Sequence, residues 1–335
     1  MNKRTVRRSI WKAMRSIAVF LGGAAFCALI FLFVNPQETV QGIEALLLPG
    51  LFSEEGVQKT LLYWPLLILA GVSFGLSWKA GFMNAGIPGQ FTVGSLLAMA
   101  AALLFSLPWW ICLAVAALGG AAWGALAGLL KPRFLLKEVL CAVMLNFIAL
   151  YLTQWLWEDV FSGIGENAFL QQSAIPALWT GASFSVPMGL PIALVLCAAL
   201  WAVTRYAVFG YELRAGGSNK EAALRAGMQV DRNVSLAVVL SGGFAGLAGG
   251  ICLLSGLTDT ALSVISNQMG FLGIPVALLS FCHPLGTVFS ALAAASVCAG
   301  SECLVFPWEA GQILFGFALL GAAVLYRKKG NNQGG

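Results

Sequence analysis

An all-α, polytopic transmembrane helical bundle is the fold class this sequence predicts, and three observations predict it. The 335-residue chain is 59% hydrophobic and 10% charged, with a mean hydropathy of +0.85, against about 25% charged residues in a soluble domain. Its long runs, such as 17–34 and 187–203, are apolar on every face, which suits neither an amphipathic surface helix nor the alternating strand of a membrane barrel. The basic residues cluster at the ends of those runs, so the net charge of +5 reports membrane orientation rather than a nucleic-acid polymer as partner. At roughly 20 residues per helical crossing, the length holds about ten spans.

The elements follow in order. Residues 1–15, MNKRTVRRSIWKAMR, carry six basic and no acidic residues and form a cytoplasmic tail by the positive-inside rule. The run 17–34 is a retained first span, longer than a signal-peptide core and followed by no small-x-small cleavage site. Residues 35–59 hold Glu38, Glu44, Glu54 and Glu55 against one lysine and face outward. Runs 61–78, 87–107 and 108–130 then lead to the basic zone KPRFLLKE at 131–138. Run 135–157 goes out, the acidic stretch 158–182 with Glu158, Asp159 and Glu166 lies outside, and 187–204 returns. Four further runs, 236–257, 269–281, 285–300 and 310–325, bring the chain back to a second cytoplasmic tail at 327–335. Parity closes with both termini inside.

The run 269–281 is short for an independent crossing, so a broken or re-entrant helix is expected there. Two Gly/Pro-interrupted segments, AGFMNAGIPGQF (80–91) and MGFLGIP (269–275), fall at opposite membrane faces in this topology. Elements of an inverted repeat would be placed in that way.

Enzymatic chemistry finds no support. The eight cysteines lie singly in apolar runs, without a CxxC pair or metal-ligand spacing, and read as small packing residues. His283 is the single histidine, so a Ser-His-Asp triad has one candidate base and no constellation around it. No G-x-x-x-x-G-K-[ST] phosphate loop occurs, so the chain itself binds no ATP through that motif. Polar residues within or beside the spans are more informative. Asn84, Gln90, Asn146 and Gln154 either line a transport path or bond one helix to another. Gly81, Gly86, Pro88 and Gly89 break the helix around the first two and expose backbone groups to a polar ligand. The tryptophans Trp11, Trp64, Trp78, Trp109, Trp110, Trp157 and Trp308 are placed as interface anchors; Trp123 and Trp201 are candidates to stack on a base or sugar face.

The longest strongly charged internal stretch is YAVFGYELRAGGSNKEAALRAGMQVDRN, at 206–233. Ser218 or Asn219 can cap a helix starting at Lys220, Glu221 suits its first turn, and Gly227 can end it. The residues EAALRAG reproduce the E-A-A-x-x-x-G pattern of ABC importer permeases. Upstream, NAGIPGQFTVGSLLA is similar to the N-x-G-x-x-G-Q segment of the binding-protein-dependent permeases for simple sugars and nucleosides (branched-chain-amino-acid/ribose-like), and LKPRFLLKEVLCAVMLNFIALYLTQWL resembles a stretch of the nucleoside branch. GYELRAGGSNKEAALRAGM and SGGFAGLAGG follow in the same order. The resemblance covers residues 61–325.

What the resemblance implies is a permease subunit of an ATP-driven importer of nucleosides or simple sugars, in the bacterial inner membrane, working by alternating access. Its transmembrane permease domain is 16–326, with the coupling loop at 205–232. Arg214, Glu221, Ala222, Ala223 and Gly227 would form the element that docks on a separate ATP-binding subunit, which alone would carry ATP and magnesium. Arg214, Lys220 and Arg225 can equally hold lipid headgroups. The implied partners are that ATPase, a second permease subunit (related or identical) and an extracytoplasmic substrate-binding lipoprotein. Substrate-path candidates are Asn84, Gln90 and Asn146. A secondary transporter of a small polar solute would use similar broken helices but needs an ionisable group at membrane depth, and none stands out. The sequence departs from the family pattern at GFLGIPVALLS, with Leu272, Pro275 and Ser280 at positions usually acidic, alanine and glycine.

Overall fold

A computed structural model describes residues 53–134, 138–161, 173–180, 185–257, 262–302 and 316. The expected first span at 17–34, the last span at 310–325, both cytoplasmic tails and most of the outer acidic stretches therefore lie outside the described residues.

Helix α1 (Glu54–Lys79) starts where the Ser53 hydroxyl accepts the Gly56 amide at 3.0 Å. Glu54 and Glu55 stand in its first turn and Lys79 in its last, so both ends match the helix dipole. It is the central post of the bundle: Leu66, Leu67, Ile68 and Leu69 are fully buried, and α5, α8, α9 and α10, defined below, pack around it. Next come α2 (Ile87–Phe105), α3 (Trp109–Phe134) and α4 (Glu138–Leu156), the last followed by a π-helical turn at Trp157–Phe161. A two-stranded antiparallel hairpin, β1 (Ala177–Thr180) and β2 (Ser185–Pro187), precedes α5 (Gly189–Tyr206). Two short helices, α6 (Val208–Ser218) and α7 (Lys220–Arg225), lead to α8 (Val230–Leu254), α9 (Leu262–Leu279) and α10 (Pro284–Glu302). Among the described residues, six helices (α1 to α5 and α8) are long and apolar enough to cross a membrane.

The core is built on small residues. In α8 the SGGFAGLAGG segment turns Gly242, Gly246 and Gly249 towards α2 and α3. A methyl added to Gly246 would stand 2.3 Å from the Ala116 carbonyl oxygen, one on Gly120 2.3 Å from that of Gly242, and one on Gly94 2.3 Å from Gly246 Cα. Three backbones thus meet without side chains between them, the arrangement that draws helices together where no hydrophobic effect acts.

Three expectations change. The hairpin adds β-structure to an otherwise all-α bundle. It is held at the N-terminal end of α1 by Gln58, whose Nε2 donates to Ser185 Oγ (3.0 Å) while its Oε1 accepts the Ser185 amide (2.7 Å); no periodicity marks so short a pair of strands. The 80–91 and 269–275 segments do not lie at opposite faces but touch, since a Cβ on Gly270 would fall 2.5 Å from Pro88 Cα. Trp64, placed at the interface by its position at a run end, instead donates its indole N–H to the Val288 carbonyl at 2.9 Å and is partly buried against the core. A buried indole seeks an acceptor inside the protein.

Candidate functional site

The interior polar residues form one connected clasp. Asn84 Nδ2 donates to Gln90 Oε1 at 3.0 Å and to Ser241 Oγ at 2.8 Å, while Asn84 Oδ1 accepts the Gly86 amide at 3.0 Å and Gln90 Nε2 at 3.3 Å. Both donors and both acceptor positions of that amide are used. Ser241 in turn exchanges bonds with Ser73 of α1, hydroxyl to hydroxyl at 2.9 Å and each hydroxyl to the other's carbonyl. On the far side Asn146 of α4 accepts the Gly89 amide at 2.9 Å and donates to the Ala85 carbonyl at 2.9 Å.

Depth explains the need for these bonds. Ser241 stands 11 residues into α8, about 16 Å along its axis, half-way through a bilayer core of about 30 Å. The segment 84–90 meets α8 there, and its backbone groups are outside any regular helix until α2 begins. Lipid cannot satisfy them. Asn84 and Asn146 do so, with Gln90 bracing the Asn84 amide, and the side chains of Asn84, Gln90 and Asn146, buried to 0, 1 and 4% exposure, face protein rather than an open channel. Asn84→Leu leaves Gln90, Ser241 and the Gly86 amide short of partners, at about 1–3 kcal/mol for a buried group. We expect a lowered thermal-unfolding midpoint in detergent; an unchanged midpoint would show that the clasp carries no stability. Next to it, the Trp123 indole nitrogen is buried with no hydrogen-bond partner, 3.2 Å from where a Cβ on Gly89 would be. Gln154 belongs elsewhere: it is exposed and donates to Glu158 at 3.2 Å. Trp201 is packed edge-on to Tyr206 at 5.8 Å, with the Arg205 guanidinium over both rings.

The charged element between α5 and α8 is a helix-turn-helix. Asn219, extended at φ −150° and ψ 100°, caps α7 by accepting the Ala222 amide at 3.0 Å. At the other end Gly227 takes φ +80°, its amide donates to the Leu224 carbonyl and that of Met228 to the Ala223 carbonyl. That is a Schellman ending, and it requires the left-handed residue. The sequence marked this helix at both ends; it did not mark α6, which precedes it. Three ties fix the pair to the bundle. The Arg214 guanidinium donates to the Thr204 carbonyl at the end of α5, Asn233 Nδ2 donates to Glu212 Oε2 at 2.6 Å, and Gly217 lies so close to α1 that a Cβ would stand 2.2 Å from the Lys79 carbonyl oxygen and 2.9 Å from the Gly81 nitrogen. Lys220 pairs with Asp231 at 2.7 Å, both exposed.

Of the residues expected to dock, Glu221, Ala222 and Gly227 present themselves to solvent beside exposed Leu224 and Arg225, whereas Ala223 is buried against the bundle. Arg214 is bonded within the chain. Sequence reasoning missed Gly217, Ser73 and Ser241, and a serine inside an apolar run carries no signal of its partner. Among the described residues no group of His, Cys, Asp and Glu could hold a metal ion.

The comparisons agree with one another. The family model described as the permease component of the branched-chain amino acid transport system matches residues 56–323. The chain is 33% identical to the guanosine ABC transporter permease protein NupP of Bacillus subtilis, over 82% of this chain and 81% of that one. It is 27% identical to the nucleoside ABC transporter permease protein NupB of Lactococcus lactis (87% and 83% covered). It is also 30% identical to the glucose ABC transporter permease protein TsgB13 of Haloferax volcanii (78% and 72%).

Proposed function

The chain belongs to the family of permease components of the branched-chain amino acid transport system, and from that premise we propose that it is the membrane subunit of an ATP-driven nucleoside importer. Its relatives named for guanosine and nucleosides support the substrate class. In this reading the chain crosses the bacterial plasma membrane about ten times with both ends inside, beside a second permease chain. An extracytoplasmic binding lipoprotein delivers the nucleoside, and an ATPase subunit binds ATP and magnesium.

The observation that carries the reading is α7. It is capped at both ends, tied to α1, α5 and α8 through neighbouring residues, and offers Glu221, Ala222, Leu224 and Arg225 outward. A partner seated on that face pushes on the ends of three helices at once. Asn84, Gln90 and Asn146 then serve transport by holding the 84–90 segment in place while those helices move.

Ala222→Trp tests the docking role, because Ala222 is exposed and a bulky side chain there meets no wall of this chain. Uptake in membrane vesicles is expected to fall at least about tenfold, a loss of some 1.4 kcal/mol in coupling, with membrane insertion and melting unchanged. Wild-type uptake by the variant would refute the docking role of α7.

A further inference from the structure

The nucleoside path needs a surface that a planar base can slide along, and one face of α4 offers it; the inference rests on the nucleoside reading. The peripheral helices expose different chemistry. The exposed residues of α3 and α5 are aliphatic over most of their length, with Ala114, Leu118 and Leu126 on the first and Leu194, Val195 and Ala198 on the second, as lipid contact demands; their exposed aromatics, Trp110 and Tyr206, stand at helix ends. Helix α4 turns Cys141, Leu145, Asn146, Ala149 and Thr153 inward. Its other side carries Phe147, Tyr151 and Trp155, each four residues from the next, at 53, 64 and 55% exposure, interleaved with exposed Met144, Ile148, Leu152 and Gln154.

Spacing by four stacks the rings along a single helix face. Phe147 and Tyr151 lie about 14 and 20 Å along the axis from Glu138, deeper than an aromatic belt at the headgroups. The Tyr151 phenol facing hydrocarbon would go without a hydrogen bond; beside a nucleoside it finds one, whereas the Gln154 amide is already bonded to Glu158. The register is held from behind, since Asn146, the residue before Phe147, is bonded to Gly89 and Ala85.

We propose that Phe147, Tyr151 and Trp155 form the wall on which the base of the transported nucleoside stacks. Aromatic stacking on a base contributes about 1–3 kcal/mol and tolerates different bases, as a nucleoside importer requires.

The test uses the complete transporter in proteoliposomes, with tritiated guanosine and, separately, radiolabelled glucose as probes. Phe147→Leu and Tyr151→Leu are each expected to reduce guanosine uptake at least about tenfold, Tyr151→Phe to stay within about twofold, and basal ATP hydrolysis and co-purification of the second permease chain to be unchanged. Guanosine uptake by the leucine variants equal to wild type would overturn the proposal and leave the face to lipid. Loss of co-purification would overturn it in favour of a seam between permease chains. A wild-type transporter that carries glucose and no guanosine would remove the nucleoside reading itself, and the stacking wall with it.

Discussion

Gly246→Val is expected to abolish accumulation of folded protein, the largest stability effect of any single substitution considered. The added side chain has nowhere to go: its first carbon would stand 2.3 Å from the Ala116 carbonyl oxygen and 2.8 Å from Gly120 Cα, and Gly94 of α2 presses on the same residue. Overpacking costs about 1–3 kcal/mol when side chains can yield. Here the obstacles are backbone atoms of two other helices, so α2, α3 and α8 must separate. Against a total of about 5–15 kcal/mol for a folded domain, that loss is decisive. Gly243→Val is the control, since a Cβ there meets its nearest atom, the Ala117 carbonyl oxygen, at an ordinary 3.5 Å. Size-exclusion profiles of the two variants in detergent check the contrast; similar, well-folded profiles would show that the glycine seam is not closely packed.

Gly217→Val should separate folding from transport. The position lies outside the transmembrane core, where α6 ends against Lys79 and Gly81. A valine would drive α6 and α7 away from the end of α1 by more than an ångström, because both nearest atoms belong to backbone. Uptake is expected to drop at least about tenfold, while the melting temperature moves little and the ATPase continues to turn over. An importer that still transports normally with this substitution would show that force does not pass from α7 to α1 through Gly217. Three residues beyond Gly81 stands Asn84, so the contact joins the α6–α7 element to the clasp by a short run of chain.

Much of this was legible in the residues, for reasons that also mark where legibility stopped. Apolar runs specify spans because a bilayer allows few alternatives, and the helices α2 to α5 fall within a few residues of the expected runs, while α1 and α8 begin seven and six residues early, at Glu54 and Val230. Helix α7 was readable to the residue, since Asn219 and Gly227 are local signals that act within one turn. The clasp was half readable: Asn84, Gln90 and Asn146 declared themselves by being polar in apolar surroundings. Their partners Ser73 and Ser241 are 168 residues apart, and nothing local to either serine names the other. Helix α9 begins at Leu262, seven residues before the run expected at 269, because LSVISNQ is too polar to extend an apolar run yet contains no helix breaker. The phase of α7 was not readable: of two adjacent alanines the helix turns Ala222 outward and Ala223 inward.

The bond between Asn84 and Ser241 spans 157 residues of chain, and that separation sets a timetable for biosynthesis. At about 5–20 residues per second, the ribosome needs about 8–31 s to deliver Ser241 after Asn84 has emerged. During that interval the non-helical stretch around Gly86 has no Ser241 to close on and cannot reside in lipid. The membrane-insertion machinery, or water at its edge, must shelter the stretch until α8 arrives, which makes the half-membrane loop the last part of the first half to be completed.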